Sequence, residues 1–256
     1  MKYACLAPII RKTNIAKGIW DMEILCPDAA REAVPGQFVD ILAEGYTLRR
    51  PISICGIDRD KGTLRIVFEV RGKGTAVIAQ KEVGSSLDII APLGHGFDLL
   101  DTDKRAVIIG GGIGTPPMVP LAQHYGANAS VIFGFRDARA VILKEDIERT
   151  GADMILCTDD GTAGRKGFVT DALDEVLKAL RPDIIYACGP MVMLRRIAER
   201  AAKDDIRCQI SLEERMACGV GACLGCACVT KQDDKTVYKH VCKNGPVFDA
   251  KEVVFA

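Results

Sequence analysis

Four cysteines toward the C-terminus constrain this chain more than any other feature. Cys218, Cys223, Cys226 and Cys242 stand in the stretch SLEERMACGVGACLGCACVTKQDDKTVYKHVCKNGPVF. Four residues separate the first pair, two the second, and fifteen precede the last cysteine. This C-x4-C-x2-C…C spacing is that of a plant-type [2Fe-2S] site, in which four thiolates hold two irons. Gly219, Gly221, Ala222, Gly225 and Ala227 are small. The loop can therefore wrap a cluster with its backbone N–H groups turned toward the sulfurs, and glycine supplies the positive φ values such a wrap needs. Structural zinc wants two short Cys or Cys/His pairs, and the lone Cys242 supplies no second C-x2-C. A disulfide knot would imply an oxidising compartment, which nothing else in the sequence supports. Cys228, two residues past Cys226, is expected to be a small buried residue on the following strand, not a ligand.

Charge and composition narrow the partners. The 34 Lys and Arg residues balance 34 Asp and Glu, so there is no electrostatic case for nucleic acid or an anionic membrane. Aromatic residues make up 5%, too few for a wide stacking platform for single strands. Eleven cysteines, no apolar N-terminal signal segment and no apolar run long enough to span a bilayer point to a reducing cytoplasm. The length suits two domains plus a small appended module. Three segments are expected: an antiparallel β-barrel over 1–100, an α/β domain with a parallel sheet over 101–209, and the cysteine module over 210–256.

In the first segment, apolar residues recur in KGIWDMEILC, GQFVDILA, RRPISICGI, GTLRIVFEV and GSSLDIIAP, with breaks at Pro27, Pro35-Gly36, Gly45, Gly62 and Gly84. Many short strands at this spacing suggest an antiparallel barrel or sandwich. Pro51 cannot donate to a ladder, so the strand carrying Arg50-Pro51-Ile52-Ser53 is expected at an edge or an opening where a ligand can approach. Arg50 offers a guanidinium fork to a phosphate, and Ser53 a hydroxyl to a flavin ring edge. Gly72-Lys73-Gly74-Thr75, followed by TAVIAQK, is a glycine-rich turn leading into a helix N-terminus, a second phosphate element. Two such elements on one small barrel fit a dinucleotide such as FAD. Pro92-Leu93-Gly94-His95-Gly96-Phe97 reads as a rigid turn closing the barrel, either a plain linker or a cofactor contact.

From Lys104 onward, near-continuous apolar strands (RAVIIG, ASVIFGF, DMILC, DIIYACG, RCQIS) alternate with amphipathic helices. This pattern implies a parallel sheet covered on both faces, with ligands bound beyond the carboxyl ends of its strands. Gly110-Gly111-Gly112-Ile113-Gly114-Thr115-Pro116-Pro117 occupies that position after the first strand. Its glycines let the backbone approach a pyrophosphate, and the helix start attracts it. Cys188-Gly189-Pro190-Met191 ends a later strand, where a small thiol and a glycine would admit a flat nicotinamide; taken in isolation the motif reads better as a buried cysteine before a helix N-terminus. Hydride transfer is accordingly expected near Ser53, Cys188 and Gly189. Asp159-Asp160-Gly161 reads as a turn and not an acid/base pair. His95, His124 and His240 show no metal-ligand spacing, and no Ser-His-Asp arrangement is evident.

A barrel with RPxS and GxGT, then a nucleotide domain with GGGIGxxP and CGPM, resembles the ferredoxin–NADP reductase superfamily. With the cysteine module and the phrases LRRPISI, GKGT, DDGTAGRKGFVTDAL and VCKNGPVF, the chain resembles the electron-transfer subunits of class 1B dihydroorotate dehydrogenase nearly end to end. The resemblance implies FAD on the barrel, held by the segments matching Arg50 to Ser53, Val67 to Glu69, and Gly74 with Thr75. It implies NAD on the middle domain, where the two motifs above offer Gly111, Gly112, Gly114 and Thr115 and Cys188 to Met191, and cluster ligands at Cys218, Cys223, Cys226 and Cys242. It also implies a separate FMN-containing catalytic subunit, two copies of each chain, and electrons passing through the cluster and FAD to NAD. The sequence departs from the family where Phe68-Glu69 replaces a Tyr-Arg pair, which places a carboxylate near the pyrophosphate unless Arg71 takes over the positive role. Two other functions fit some of these features: a related reductase subunit serving a sulfide dehydrogenase or a bifurcating transhydrogenase, and a non-catalytic redox-sensing regulator. The neutral charge balance offers the regulator no nucleic-acid surface.

Overall fold

The computed structural model describes residues 2–233 and 235–255. The chain forms two compact units. The first contains β1 (Tyr3–Ala16), β2 (Ile19–Leu25), α1 (Pro27–Glu32), β3 (Phe38–Leu42), β4 (Arg49–Asp58), β5 (Thr63–Glu69), α2 (Lys73–Gln80) and β6 (Ser86–Leu93). The six strands close into an antiparallel barrel in the order β1-β2-β5-β4-β3-β6. Alternate residues fill its interior, among them Ile9, Met22, Ile24, Ile41, Ile54, Leu64, Ile66, Phe68 and Ile89. The apolar runs read from the sequence are β2 to β6. β1 has no alternating signal, because Ala7 and Ile9 point in while Leu6 and Ile10 are exposed, and Pro8 reads as a breaker.

Pro51 does not sit on an edge strand, since the barrel is closed. Pairing of β4 with β3 runs from Arg49 to Ser53, whereas its pairing with β5 begins at Ile54. The stretch holding Pro51 therefore has one unpaired flank, the opening that the proline requires. The turn expected at Pro92 is also different: Pro92 and Leu93 end β6, and the bend starts at Gly94, φ +80°. A Cβ at Gly94 would meet Gly245 O and Pro246 Cδ, each at 2.6 Å. His95 N donates to Gly245 O. This bend thus seats the chain just past Cys242, in a stretch (Tyr238–Pro246) that belongs with Glu213–Cys228 to the barrel unit.

The second unit contains β7 (Ala106–Gly111), α3 (Val119–Tyr125), β8 (Ala129–Phe135), α4 (Lys144–Glu148), β9 (Asp153–Thr158), β10 (Arg165–Lys166), α5 (Val169–Ala179), β11 (Ile184–Cys188), α6 (Met191–Lys203) and β12 (Arg207–Ser211). After it come β13 (Ala227–Gln232) and β14 (Lys235–His240), a two-stranded ribbon, and β15 (Val247–Asp249). The sheet order is β10-β9-β8-β7-β11-β12-β15. All neighbours are parallel except β15, which adds an antiparallel edge to the expected parallel sheet. Every residue of β7 and β11 is buried, as covering on both faces demands. α5 presents Val169, Ala172, Leu173 and Val176 to the core and α6 presents Leu194, Ile197, Ala198 and Ala201, the i, i+3, i+4, i+7 stripe. Asp160 is a turn residue, accepting from Thr162 N and Thr162 Oγ1 at 2.9 and 2.7 Å.

Candidate functional site

The cysteine loop is built as its small residues require. Gly219 and Gly221 take φ values of +65° and +86°, which a side chain would resist. Ala222 N and Cys223 N then point at Cys218 Sγ (3.3 and 3.4 Å), Gly225 N at Cys223 Sγ (3.5 Å), and Cys242 N at Cys226 Sγ (3.4 Å). The thiols associate in pairs, Cys218 with Cys223 and Cys226 with Cys242. The second pair is buried and the first lies toward the surface. Burial pushes the Cys218 thiol up, but the N–H groups of Val220, Cys223 and Ala222 outweigh it and bring the thiol down to about 6. Burial and then Cys226 push Cys242 up to about 12. Among the described residues, no three Cys, His, Asp or Glu side chains gather for a single ion. Two separate thiol pairs suit a two-iron cluster, in which each iron takes two of the four cysteines. Cys228 lies on β13 with its thiol donated to Lys239 O at 3.4 Å, away from this use.

One residue that sequence reasoning missed lies against this loop. Asp40 on β3 is 1% exposed, and neither carboxylate oxygen has a hydrogen-bond partner. A Cβ at Gly219 would overlap its Oδ2. Burial raises the Asp40 carboxyl to about 6, with Arg49 opposing and Cys218 adding to the rise. In GQFVDILA it reads as an ordinary outward polar residue of a strand. Its burial depends on a loop remote in sequence, so no local signal marks it.

On the barrel the two segments expected to bind phosphate converge. A Cβ at Gly74 would overlap the Arg50 guanidinium, so glycine there is the seat of that side chain. Arg50 also donates to Leu48 O and lies over the Tyr46 ring, 5.1 Å from its centroid. Thr75 Oγ1 accepts from Arg71 N and Gly72 N at 3.1 and 3.2 Å, fixing the first turn of α2. Pro51, Ile52 and Ser53 are half-buried along the stretch of β4 with the unpaired flank, while Val67 and Phe68 are buried. The Glu69 carboxylate is neutralised by Arg71 at 2.7 Å. A guanidinium above a helix N-terminus, beside a strand opening, suits a pyrophosphate.

In the second unit, the two glycine motifs stand at the carboxyl ends of adjacent strands, with Cys188 opposite Gly110. The chain proceeds from β7 through β8 to β9 on one side and returns to β11 and β12 on the other. The β7–β11 gap is therefore the topological switch point, where open α/β sheets bind ligands. A Cβ at Gly114 would meet Cys188 O at 2.6 Å and Gly189 Cα at 2.8 Å, and one at Gly111 would meet Met193 Sδ at 2.7 Å. Thr115 is fully buried and donates to Gly112 O at 2.9 Å, so its hydroxyl secures the turn. The glycines do not open directly into an α-helix: Pro116 and Pro117 lie in a 3-10 turn, and α3 starts at Val119. Pro190 and Met191 lead into α6, with Met191 exposed.

Residues 213–254 match the iron-sulfur cluster binding domain of dihydroorotate dehydrogenase B. The chain is 40% identical over 257 residues, all of both chains, to the electron transfer subunit of dihydroorotate dehydrogenase B (NAD(+)) of Caldanaerobacter subterraneus subsp. tengcongensis. It is 43% identical over 228 residues, 86% of each chain, to that of Geobacillus kaustophilus. Among solved structures, a chain of an NADH-dependent reduced ferredoxin–NADP oxidoreductase, studied for flavin-based electron bifurcation, superposes with a TM-score of 0.87. It is 28% identical, over 98% of this chain and 90% of that one. The ferredoxin reductase of carbazole 1,9a-dioxygenase shares the fold, with a TM-score of 0.69 and 19% identity over 80% of this chain and 67% of that one.

Proposed function

The chain belongs to the electron-transfer subunits of NAD-dependent dihydroorotate dehydrogenase B, and from that membership we propose the cofactors and partner through which it works. Cys218, Cys223, Cys226 and Cys242 hold a [2Fe-2S] cluster. Arg50 to Ser53, Val67 to Glu69, Gly74 and Thr75 hold FAD. Gly111, Gly112, Gly114, Thr115 and Cys188 to Met191 receive NAD. When bound, these groups accept single electrons at the cluster, pair them at the flavin and deliver them to NAD as hydride. The partner is an FMN-containing catalytic subunit that oxidises dihydroorotate to orotate, joined as two copies of each chain in the cytoplasm. Among the described residues, no helix is long and apolar enough to cross a membrane.

The observation that most supports this reading is the loop in which four backbone N–H groups aim at cysteine sulfurs. Such donors stabilise thiolates and a reduced cluster. Arg50 and the head of α2 supply positive potential to a pyrophosphate, and Arg71 pairs with the Glu69 carboxylate. At the switch point Gly111 and Gly189 lie against the Met193 side chain and Gly114 against the backbone of Cys188 and Gly189, so these positions leave no room for a side chain of their own. The likeness to the bifurcating oxidoreductase chain favours a second reading, a reductase subunit for another partner. Reconstitution decides between them. Adding an FMN-dependent dihydroorotate oxidising subunit to the purified chain is expected to create dihydroorotate-dependent NAD reduction that neither protein shows alone. Absence of that coupling, with both proteins fully loaded, would support the second reading.

A further inference from the structure

Asp40 combines three features that an ordinary strand residue lacks. Its carboxylate is enclosed, neither oxygen has a hydrogen-bond partner, and it lies against Gly219, next to the expected ligand Cys218. A buried carboxylate without a partner is costly, and barrel stability gives no reason to keep one. The nearest guanidinium groups do not neutralise it by contact. Arg49 is committed to the Asp88 carboxylate at 2.8 Å, to Asp88 O at 3.0 Å and to the backbone O of Asp40 at 3.3 Å. Arg50 is turned to Leu48 O and to the space above Gly74. Burial raises this acid, with Cys218 adding to the rise and the field of Arg49 and Arg50 opposing it.

Resting on the reading that the four cysteines hold a [2Fe-2S] cluster, we infer that Asp40 is a positioning residue for its electrostatics: the carboxylate, fixed against Gly219, places a negative charge beside the cluster and lowers its reduction potential. Net charge and hydrogen bonds to sulfur are the protein's main means of setting that potential. The N–H groups of Ala222, Cys223, Gly225 and Cys242 stabilise the reduced form and draw the potential up. A carboxylate in a desolvated position repels the added electron and draws it down. The result is a cluster kept reducing enough to pass electrons on to a flavin and a nicotinamide.

The test is an EPR-monitored redox titration of the holo-protein, with iron content measured on each sample. In Asp40→Asn the cluster midpoint is expected to move to a more positive potential, with iron content, the EPR line shape and the flavin midpoint unchanged. Asp40→Ser should shift it in the same direction, and Asp40→Glu, which keeps the charge, should restore the parental value. An unmoved midpoint in the neutral variants, or a shift in Asp40→Glu as large as in Asp40→Asn, would overturn the inference. So would loss of iron from both neutral variants, which would make Asp40 a packing element of the loop. A parent protein without a two-iron signal would instead overturn the cluster reading itself.

Discussion

The guanidinium of Arg50 occupies the space that a side chain at position 74 would fill. The glycine of the GxGT turn therefore does more than permit a bend: it lets a cation from β4 settle over the first turn of α2. Arg50→Ala and Gly74→Val are both expected to weaken FAD binding, the first by removing the cation and the second by displacing it. Charge-assisted hydrogen bonds of roughly 1.5–3 kcal/mol correspond to about 10- to 150-fold in affinity. Because both changes remove one interaction, the double variant should lose little more than either single one. Flavin titration of the apo-protein measures all three.

This relationship also marks what the sequence could disclose. The iron-sulfur module was legible because its cysteines and small residues are concentrated in a short stretch, which matches an iron-sulfur cluster binding domain. The strand–helix alternation after Lys104 was legible because both faces of β7 and β11 are covered, which forces continuous apolar runs. Neither the seating of Arg50 on Gly74 nor that of Asp40 under Gly219 leaves a local trace. Each joins residues far apart in the chain, and the first needs only the absence of a side chain. β1 escaped notice for a related reason, since Leu6 and Ile10 spend apolar character on an exposed face. The short 3-10 turn after Gly114 follows from Pro116 and Pro117, whose effect on a helix start depends on context.

Replacing Cys218, Cys223, Cys226 or Cys242 singly with Ser is expected to remove most of the iron. Cys228→Ser should keep it, because that thiol is occupied with Lys239 O on the ribbon. Iron analysis of the five proteins checks the assignment. Iron lost from Cys228→Ser but retained in Cys242→Ser would reverse it.

At the switch point, Gly114→Ala sets a Cβ against backbone atoms of Cys188 and Gly189 that cannot yield easily. A loss of about 1–3 kcal/mol of stability is expected from the overpacking, with a raised KM for NADH and unchanged iron and flavin. Gly189→Val should slow flavin reduction by NADH, as followed by stopped-flow absorbance. Parental NADH kinetics in both variants would place the nucleotide elsewhere.

Thiol reactivity should divide along burial. Burial pushes the thiols of Cys26 and Cys208 up to about 12. At pH 8 only about one in ten thousand of either is thiolate, the reactive form. Iodoacetamide followed by peptide mass mapping is expected to label the exposed Cys5 in the native protein, and Cys26 and Cys208 only after denaturation.

The central claim is that one chain holds a cluster and a flavin and connects both to a nicotinamide nucleotide. An anaerobic titration of the purified holo-protein with NADH, read by absorbance and EPR together, tests it most directly. The expected result is about two iron atoms per chain, bleaching of the flavin bands by NADH, and growth of the EPR signal of a reduced [2Fe-2S] cluster. Zinc in place of iron, or a loaded flavin and cluster that NADH leaves oxidised, would contradict it.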